Sequence, residues 1–265
     1  MTDAFAPKQS LGQNFLNDPN TIRNIVQALT AQPSDPVVEI GPGLGALTAP
    51  LQAAYPSLLA LEIDARAVAY LATHLPEVEV RHQDVLTVDW PALAAERGGA
   101  LSILGNLPYN ITSQILFGLF EAPPGTIREA VVVMQREVAE RLVAVPRTKA
   151  YGILSVVTQL HTAPTLLFKV SPNVFYPRPD VTSAVVHLDF SGGVLRTHPA
   201  SDRALLHEVI RTAFNQRRKT LRNSLAIWAK DPAVGLPNTV ERQRAEELTP
   251  AAFIDLAEHI GARTV

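Results

Sequence analysis

Apolar and polar positions divide the chain into short apolar runs and stretches of helical period. Asp18-Pro19 reads as an N-cap followed by proline in the first turn, and Ile22, Ile25, Val26 and Leu29 follow at helical spacing. Pro33 and Pro36 stop that helix, while the segment before it, with Pro7, Lys8 and Gly12, reads as irregular. Strands are then predicted at residues 37–40, 58–63, 78–80, 101–104 and 130–134, with helices at 46–54, 65–74 and 111–120. This alternation predicts an α/β fold with a mostly parallel sheet covered on both faces. Residues 166–170 and 184–190 read as two more strands joined by a Pro-rich loop with no room for a crossover helix, so an antiparallel hairpin should close the sheet edge. Ser191-Gly192-Gly193 is the linker signal, and residues 202–228 and 250–260 read as helical. The expected division is 1–192 for the α/β domain and 193–265 for a small all-helical domain.

Composition narrows the chemistry. Apolar residues make up 47% of 265, enough for a core, and 23 basic against 25 acidic residues leave a net charge of −2. Any polyanion site must therefore be a local patch. Cysteine is absent, which excludes disulfides, thiol nucleophiles and Cys-held metal clusters. The seven histidines match no metal spacing, so no metal is expected. No apolar run approaches the roughly 20 residues that span a bilayer, and Met1 to Gly12 lacks the apolar core of a signal peptide. A cytoplasmic protein is the default.

Glu39-Ile40-Gly41-Pro42-Gly43-Leu44-Gly45 follows a predicted strand and opens a helix. Glycines there let the backbone turn sharply and approach a ligand. Glu62 ends the next strand, 21 residues after Gly41, where an acidic residue accepts hydrogen bonds from ribose hydroxyls in such folds. Asp84 ends the third strand, again at the carboxyl edge. The ligand is a dinucleotide or another adenosine compound. The G-x-G-x-G spacing departs from the dinucleotide fingerprint, and Pro42 removes an amide a pyrophosphate would use. A cofactor without phosphates, such as S-adenosylmethionine, fits better.

Gly105-Asn106-Leu107-Pro108-Tyr109 follows the fourth strand. Asn and Pro suit any strand-ending turn, but a turn does not need an aromatic directly after the proline. An amide oxygen, a carbonyl left free beside the proline and an aromatic face suit a planar amine. The adenine amine is a poor nucleophile because its lone pair is delocalised, and two acceptors on its hydrogens favour a pyramidal nitrogen.

Asn106-Leu107-Pro108-Tyr109 resembles the signature of methyltransferases acting on ring-conjugated amines. Leu11-Gly12-Gln13-Asn14-Phe15-Leu16, Gln135-Arg136-Glu137-Val138, Lys149-Ala150-Tyr151-Gly152, Val174-Phe175-Tyr176-Pro177-Arg178-Pro179 and Phe214-Asn215-Gln216-Arg217-Arg218-Lys219-Thr220-Leu221 narrow it further. Together they resemble the bacterial small-subunit ribosomal RNA adenine dimethyltransferases, the kasugamycin-sensitivity methylase family, from about Pro7 to the C-terminal helices. The resemblance implies a Rossmann-like fold and an enzyme that uses S-adenosylmethionine to dimethylate two adjacent adenosines near the 3′ end of small-subunit rRNA. It also implies action on the immature small ribosomal subunit. By the same resemblance Asn14, Leu16, Gly41, Gly43, Glu62, Asp84 and Asn106 are cofactor positions. Asn106, Leu107, Pro108, Tyr109 and Phe175 are then catalytic, with Tyr109 and Phe175 sandwiching the flipped adenine.

Between Arg196 and Lys230 eight basic residues face two acidic ones. Such a run is usually a solvated face, but Arg217, Arg218, Lys219 and Arg222 cluster closely enough to contact phosphates. Three alternatives remain open: an assembly factor with secondary methylation, a large-subunit rRNA adenine methylase, and, least favoured, a DNA adenine methylase. A free monomer is expected.

Overall fold

Asp18 caps the first helix, its carboxylate accepting from the Thr21 N–H at 2.7 Å with Pro19 in the first turn. The structure, a computed structural model, describes Lys8 and residues 12–264; Pro7, Leu11 and most of the 1–12 stretch lie outside the described residues. In chain order the elements are β1 (Phe15–Leu16), α1 (Pro19–Val26), β2 (Val37–Ile40), α2 (Thr48–Ala54), β3 (Leu59–Glu62), α3 (Ala65–His74), β4 (Glu79–His82), α4 (Trp90–Arg97), β5 (Leu101–Asn106) and α5 (Thr112–Glu121). There follow β6 (Ile127–Gln135), α6 (Arg136–Leu142), α7 (Ile153–His161), β7 (Ala163–Val170), β8 (Phe175–Tyr176), β9 (Ser183–Asp189), α8 (Val194–Thr197), α9 (Arg203–Asn215), α10 (Leu221–Ser224), α11 (Ala226–Ala229) and α12 (Pro250–Thr264).

Seven strands form one sheet in the order β4-β3-β2-β5-β6-β9-β7. The first five are parallel, and β9 runs antiparallel to β6 with Ser183 opposite Gln135. The central strands β2 and β3 are buried at every position, so they read as continuous apolar runs broken only by Glu39 and Glu62. β1 and β8 form a separate two-stranded ribbon that the sequence pattern did not reveal.

Two compact units are present: the chain up to Ala139 with Thr165–Phe190, and Glu140–Pro164 with Ser191 onward. The expected 1–192/193–265 division is therefore crossed by residues 140–164. Their apolar side chains explain this: Ala144, Tyr151, Val156 and Leu160 share a buried cluster with Leu206, Ile210, Phe214 and Phe253. The 202–228 stretch is also not one continuous helix. Residues 216–220 leave the helix because Thr220 bridges to Arg244 and the Leu221 N–H bonds to the Gln243 carbonyl instead.

Candidate active site

Parallel strands deliver their carboxyl ends to one edge of a sheet, and a crevice opens where the strand order reverses. Here that point lies between β2 and β5. The glycine turn after β2, Glu62 at the end of β3, Asp84 after β4 and Asn106 at the end of β5 all meet there. The cleft encloses about 930 Å³, its open mouth included. Asn14, Leu16, Gly41, Glu62, Asp84, Asn106, Leu107, Pro108 and Tyr109 line it; Gly43 and Phe175 do not.

Gly43 acts from behind the lining. Its φ is +56°, and a Cβ there would come within 2.7 Å of the Phe15 ring, so a side chain is excluded on both counts. The Gly43 N–H donates to Glu62 Oε2 at 3.0 Å, and the Asp64 N–H donates to Glu62 Oε1 at 2.8 Å. Glu62 thus holds the turn itself, and each oxygen keeps a lone pair for a ligand. Asp64 accepts a bidentate bond from Arg66, to which Gln13 Nε2 adds a bond at 3.1 Å, and together they hold its carboxyl well below the usual range. The Gln13 bond ties the opening segment to the end of β3. Asp84 spends one oxygen on the Leu86 N–H at 2.9 Å.

Sequence reasoning missed Glu39. It is 1% exposed, lines the cleft, and its Oε2 has no protein partner. Burial pushes its carboxyl up to about 8, and the neighbouring charge of Glu62 adds to the shift. The signal was present, an acidic residue inside a buried apolar strand, but nothing in the sequence said which face it met.

Asn106 Nδ2 donates to the Asn14 carbonyl at 2.7 Å, which orients the amide. Its Oδ1 accepts no bond among the described residues, and neither does the Leu107 carbonyl. The Pro108 carbonyl, in contrast, accepts from Thr112 Oγ1 at 2.8 Å and the Ile111 N–H. The free carbonyl expected beside the proline therefore belongs to Leu107. Tyr109 shares a 2.6 Å hydrogen bond with Ser183 Oγ, so its ring is fixed in the cleft wall, and burial raises its hydroxyl pKa.

Directly opposed residues of an antiparallel pair share a face. The ribbon sets Leu16 opposite Phe175 and Phe15 opposite Tyr176. The first pair is the buried face, with Phe175 3% exposed; the second carries Phe15 in the cleft and Tyr176, which is 49% exposed. The ring of Phe175 is packed in the core, and the exposed aromatic of this ribbon is its neighbour.

The basic residues differ among themselves. Arg217 bonds Glu246 at 2.7 Å and the Lys149 carbonyl at 2.9 Å. Arg222 stands 3.8 Å from Glu241. The side chains of Arg218 and Lys219 are exposed and bond nothing among the described residues. Among these residues no group of His, Asp or Glu could hold a metal, and no helix is long and apolar enough to cross a membrane.

The family model for ribosomal RNA adenine dimethylase matches residues 4–261. A protein of Salinibacter ruber named ribosomal RNA small subunit methyltransferase A is 52% identical over 99% of this chain and 88% of its own length. One of Prosthecochloris aestuarii with the same name is 47% identical over 83% of this chain and 82% of its own. Among solved structures, a dimethyladenosine transferase of Plasmodium falciparum shares the fold, with a TM-score of 0.79 over 95% of this chain and 98% of that one at 23% identity. The 23S rRNA methyltransferase ErmE follows at 0.67 and 28%, over 94% and 100%. With the match running through the glycine turn and Asn106 to Tyr109 and on into the helical unit, the chain belongs to the ribosomal RNA adenine dimethylase family.

Proposed function

We propose that this rRNA adenine dimethylase methylates the exocyclic amines of two adjacent adenosines near the 3′ end of small-subunit rRNA, on the immature small ribosomal subunit. The observation that carries the reading is the Asn106 amide at the switch point, held by the Asn14 carbonyl with its own oxygen uncommitted beside the uncommitted Leu107 carbonyl. Two acceptors aligned on an N–H₂ group pull its lone pair out of conjugation and towards an electrophile. S-adenosylmethionine, when bound, supplies that electrophile as an activated methyl carbon.

The cleft fits such a cofactor. Glu39 offers a buried carboxyl oxygen without a protein partner, suited to a cationic group. Glu62 keeps acceptor capacity for ribose hydroxyls, and Asp84 keeps one oxygen for an amine. Tyr109 presents an aromatic wall for a base that has left its stack. Catalysis then rests on orientation, with no metal required. On this reading the protein is a monomer working in the cytoplasm. The relatives named for the small subunit, at 52% and 47% identity, favour that substrate over the 23S rRNA for which ErmE, at 28%, is named.

The test is methyl transfer to unmethylated small-subunit and large-subunit particles, followed by nucleoside analysis. Dimethyladenosine in the small-subunit particles alone is the expected result. Equal transfer to large-subunit particles overturns the proposal.

A further inference from the structure

Arg217 was expected to contact phosphate, yet its guanidinium is occupied. Nε donates to Glu246 Oε2 at 2.7 Å, and Nη2 donates to the Lys149 carbonyl at 2.9 Å. Glu246 is engaged a second time: its carbonyl accepts the Arg147 N–H at 2.7 Å. Arg147 sits at φ +69°, a left-handed conformation that costs any residue with a Cβ free energy and persists only where the surroundings hold it. On the other side the Thr220–Arg244 bridge ties residues 220 and 244 together. Three chain segments, at 147–149, 217–220 and 243–246, are thus tied together by the Arg217–Glu246 ion pair and by backbone hydrogen bonds, all within the second compact unit.

This knot brings four exposed cations into one neighbourhood. The side chains of Arg147, Lys149, Arg218 and Lys219 make no hydrogen bond or ion pair among the described residues. The nearby acidic groups are already engaged, Glu246 by Arg217, Glu241 by Arg222 and Glu247 by the Arg244 N–H. A patch of unpaired cations suits a polymer of phosphates.

We infer that Arg217 and Glu246 form a strut, and that they hold Arg147 and Lys149 beside Arg218 and Lys219 as a single face for the RNA backbone. Arg217 and Glu246 are positioning residues; the four free cations make the contact. The inference rests on the rRNA reading above and adds Arg147 and Lys149 to the RNA face while removing Arg217 from it.

The strut has a consequence of unusual sign. Removing the negative charge of Glu246 strengthens attraction to a polyanion if only Coulomb forces act. If Glu246 is a strut, losing its carboxylate unpins the Arg217 guanidinium that holds the Lys149 carbonyl, and binding weakens. The experiment measures binding of the full-length protein to unmethylated small-subunit particles across a salt series, with thermal stability and S-adenosylmethionine affinity recorded for each variant. Lys149→Ala should weaken binding several-fold and lower the salt slope by roughly 0.7–0.9, the value of one lost phosphate contact. Arg218→Ala with Lys219→Ala should lower it by about twice that. Glu246→Gln should weaken binding several-fold despite the lost negative charge. Unchanged or tighter binding by Glu246→Gln in a folded variant overturns the strut. If that variant melts early, Lys149→Ala decides alone, since its exposed side chain makes no hydrogen bond or ion pair among the described residues: a parental salt slope overturns the inference. A parent protein that methylates the particles while Lys149→Ala keeps its slope refutes only this inference; a parent that methylates no small-subunit rRNA refutes the functional reading itself.

Discussion

Glu39 makes cofactor binding depend on pH in a way that can be worked out from its surroundings. Its carboxyl is pushed up to about 8, so at pH 7 roughly ten molecules carry a protonated Glu39 for each that carries it ionised. A cationic cofactor that settles against this carboxyl must expel the proton, at a cost of ~1.4 kcal/mol at pH 7 and ~2.7 kcal/mol at pH 6. Affinity for S-adenosylmethionine should therefore rise about tenfold between pH 6 and pH 7. In that range the cofactor's own α-amino group stays largely protonated, so the linkage belongs to the protein. Calorimetric titration at pH 7 in two buffers of different ionisation heat should report release of roughly 0.9 proton per cofactor bound. Glu39→Gln keeps the shape and removes the titration, so its affinity should be weaker and flat with pH. For the free protein, the folded chain retains a proton that the unfolded chain sheds above pH 4.5. Its stability should fall progressively between that value and about pH 8 and then level off. Buffer-independent heats at pH 7, or a Glu39→Gln variant that keeps the parental pH slope, would refute the reasoning.

Asn106→Ala should lower the single-turnover methylation rate at least about tenfold, or ~1.4 kcal/mol of barrier, with binding to the ribosomal subunit nearly intact; a rate within twofold of the parent reduces Asn106 to a turn residue. Glu62→Ala orphans the Gly43 and Asp64 amides as well as removing a ribose acceptor, so calorimetry and thermal melts should both register losses of roughly 1–3 kcal/mol per orphaned donor. Normal melting with normal cofactor affinity removes it from the site. Tyr109→Phe breaks only the Ser183 bond and should retain most activity, whereas Tyr109→Ala forfeits stacking of about 1–3 kcal/mol and should raise KM for the particle. Equal kinetics for the two variants would contradict a stacking role.

The alternation of apolar runs and helical periods made β2, β3, β5 and β6 readable, because parallel strands are buried on both faces, together with α2, α3 and α5 but not α4. The convergence of Glu62, Asp84 and Asn106 followed from their places at strand ends. Residues 140–164 were not assignable from chain order, since only packing with Phe214 and Phe253 reveals their partner. In Phe175-Tyr176 a two-residue strand offers no alternation to read, so the core-facing and exposed aromatics could be told apart only by their register with Phe15 and Leu16. Arg217, Arg218 and Lys219 are chemically alike in the sequence; the Glu246 carboxylate distinguishes them and lies 29 residues further along the chain.

The central claim, methyl transfer to paired adenosines by this cleft, is tested most directly by primer extension across small-subunit rRNA from unmethylated particles treated with the protein and S-adenosylmethionine. Dimethylated adenosines block reverse transcription at their Watson–Crick edge. Two adjacent stops near the 3′ end, absent with Asn106→Ala, are the predicted result. Full-length extension with the active parent protein, or stops at unrelated positions, would contradict it.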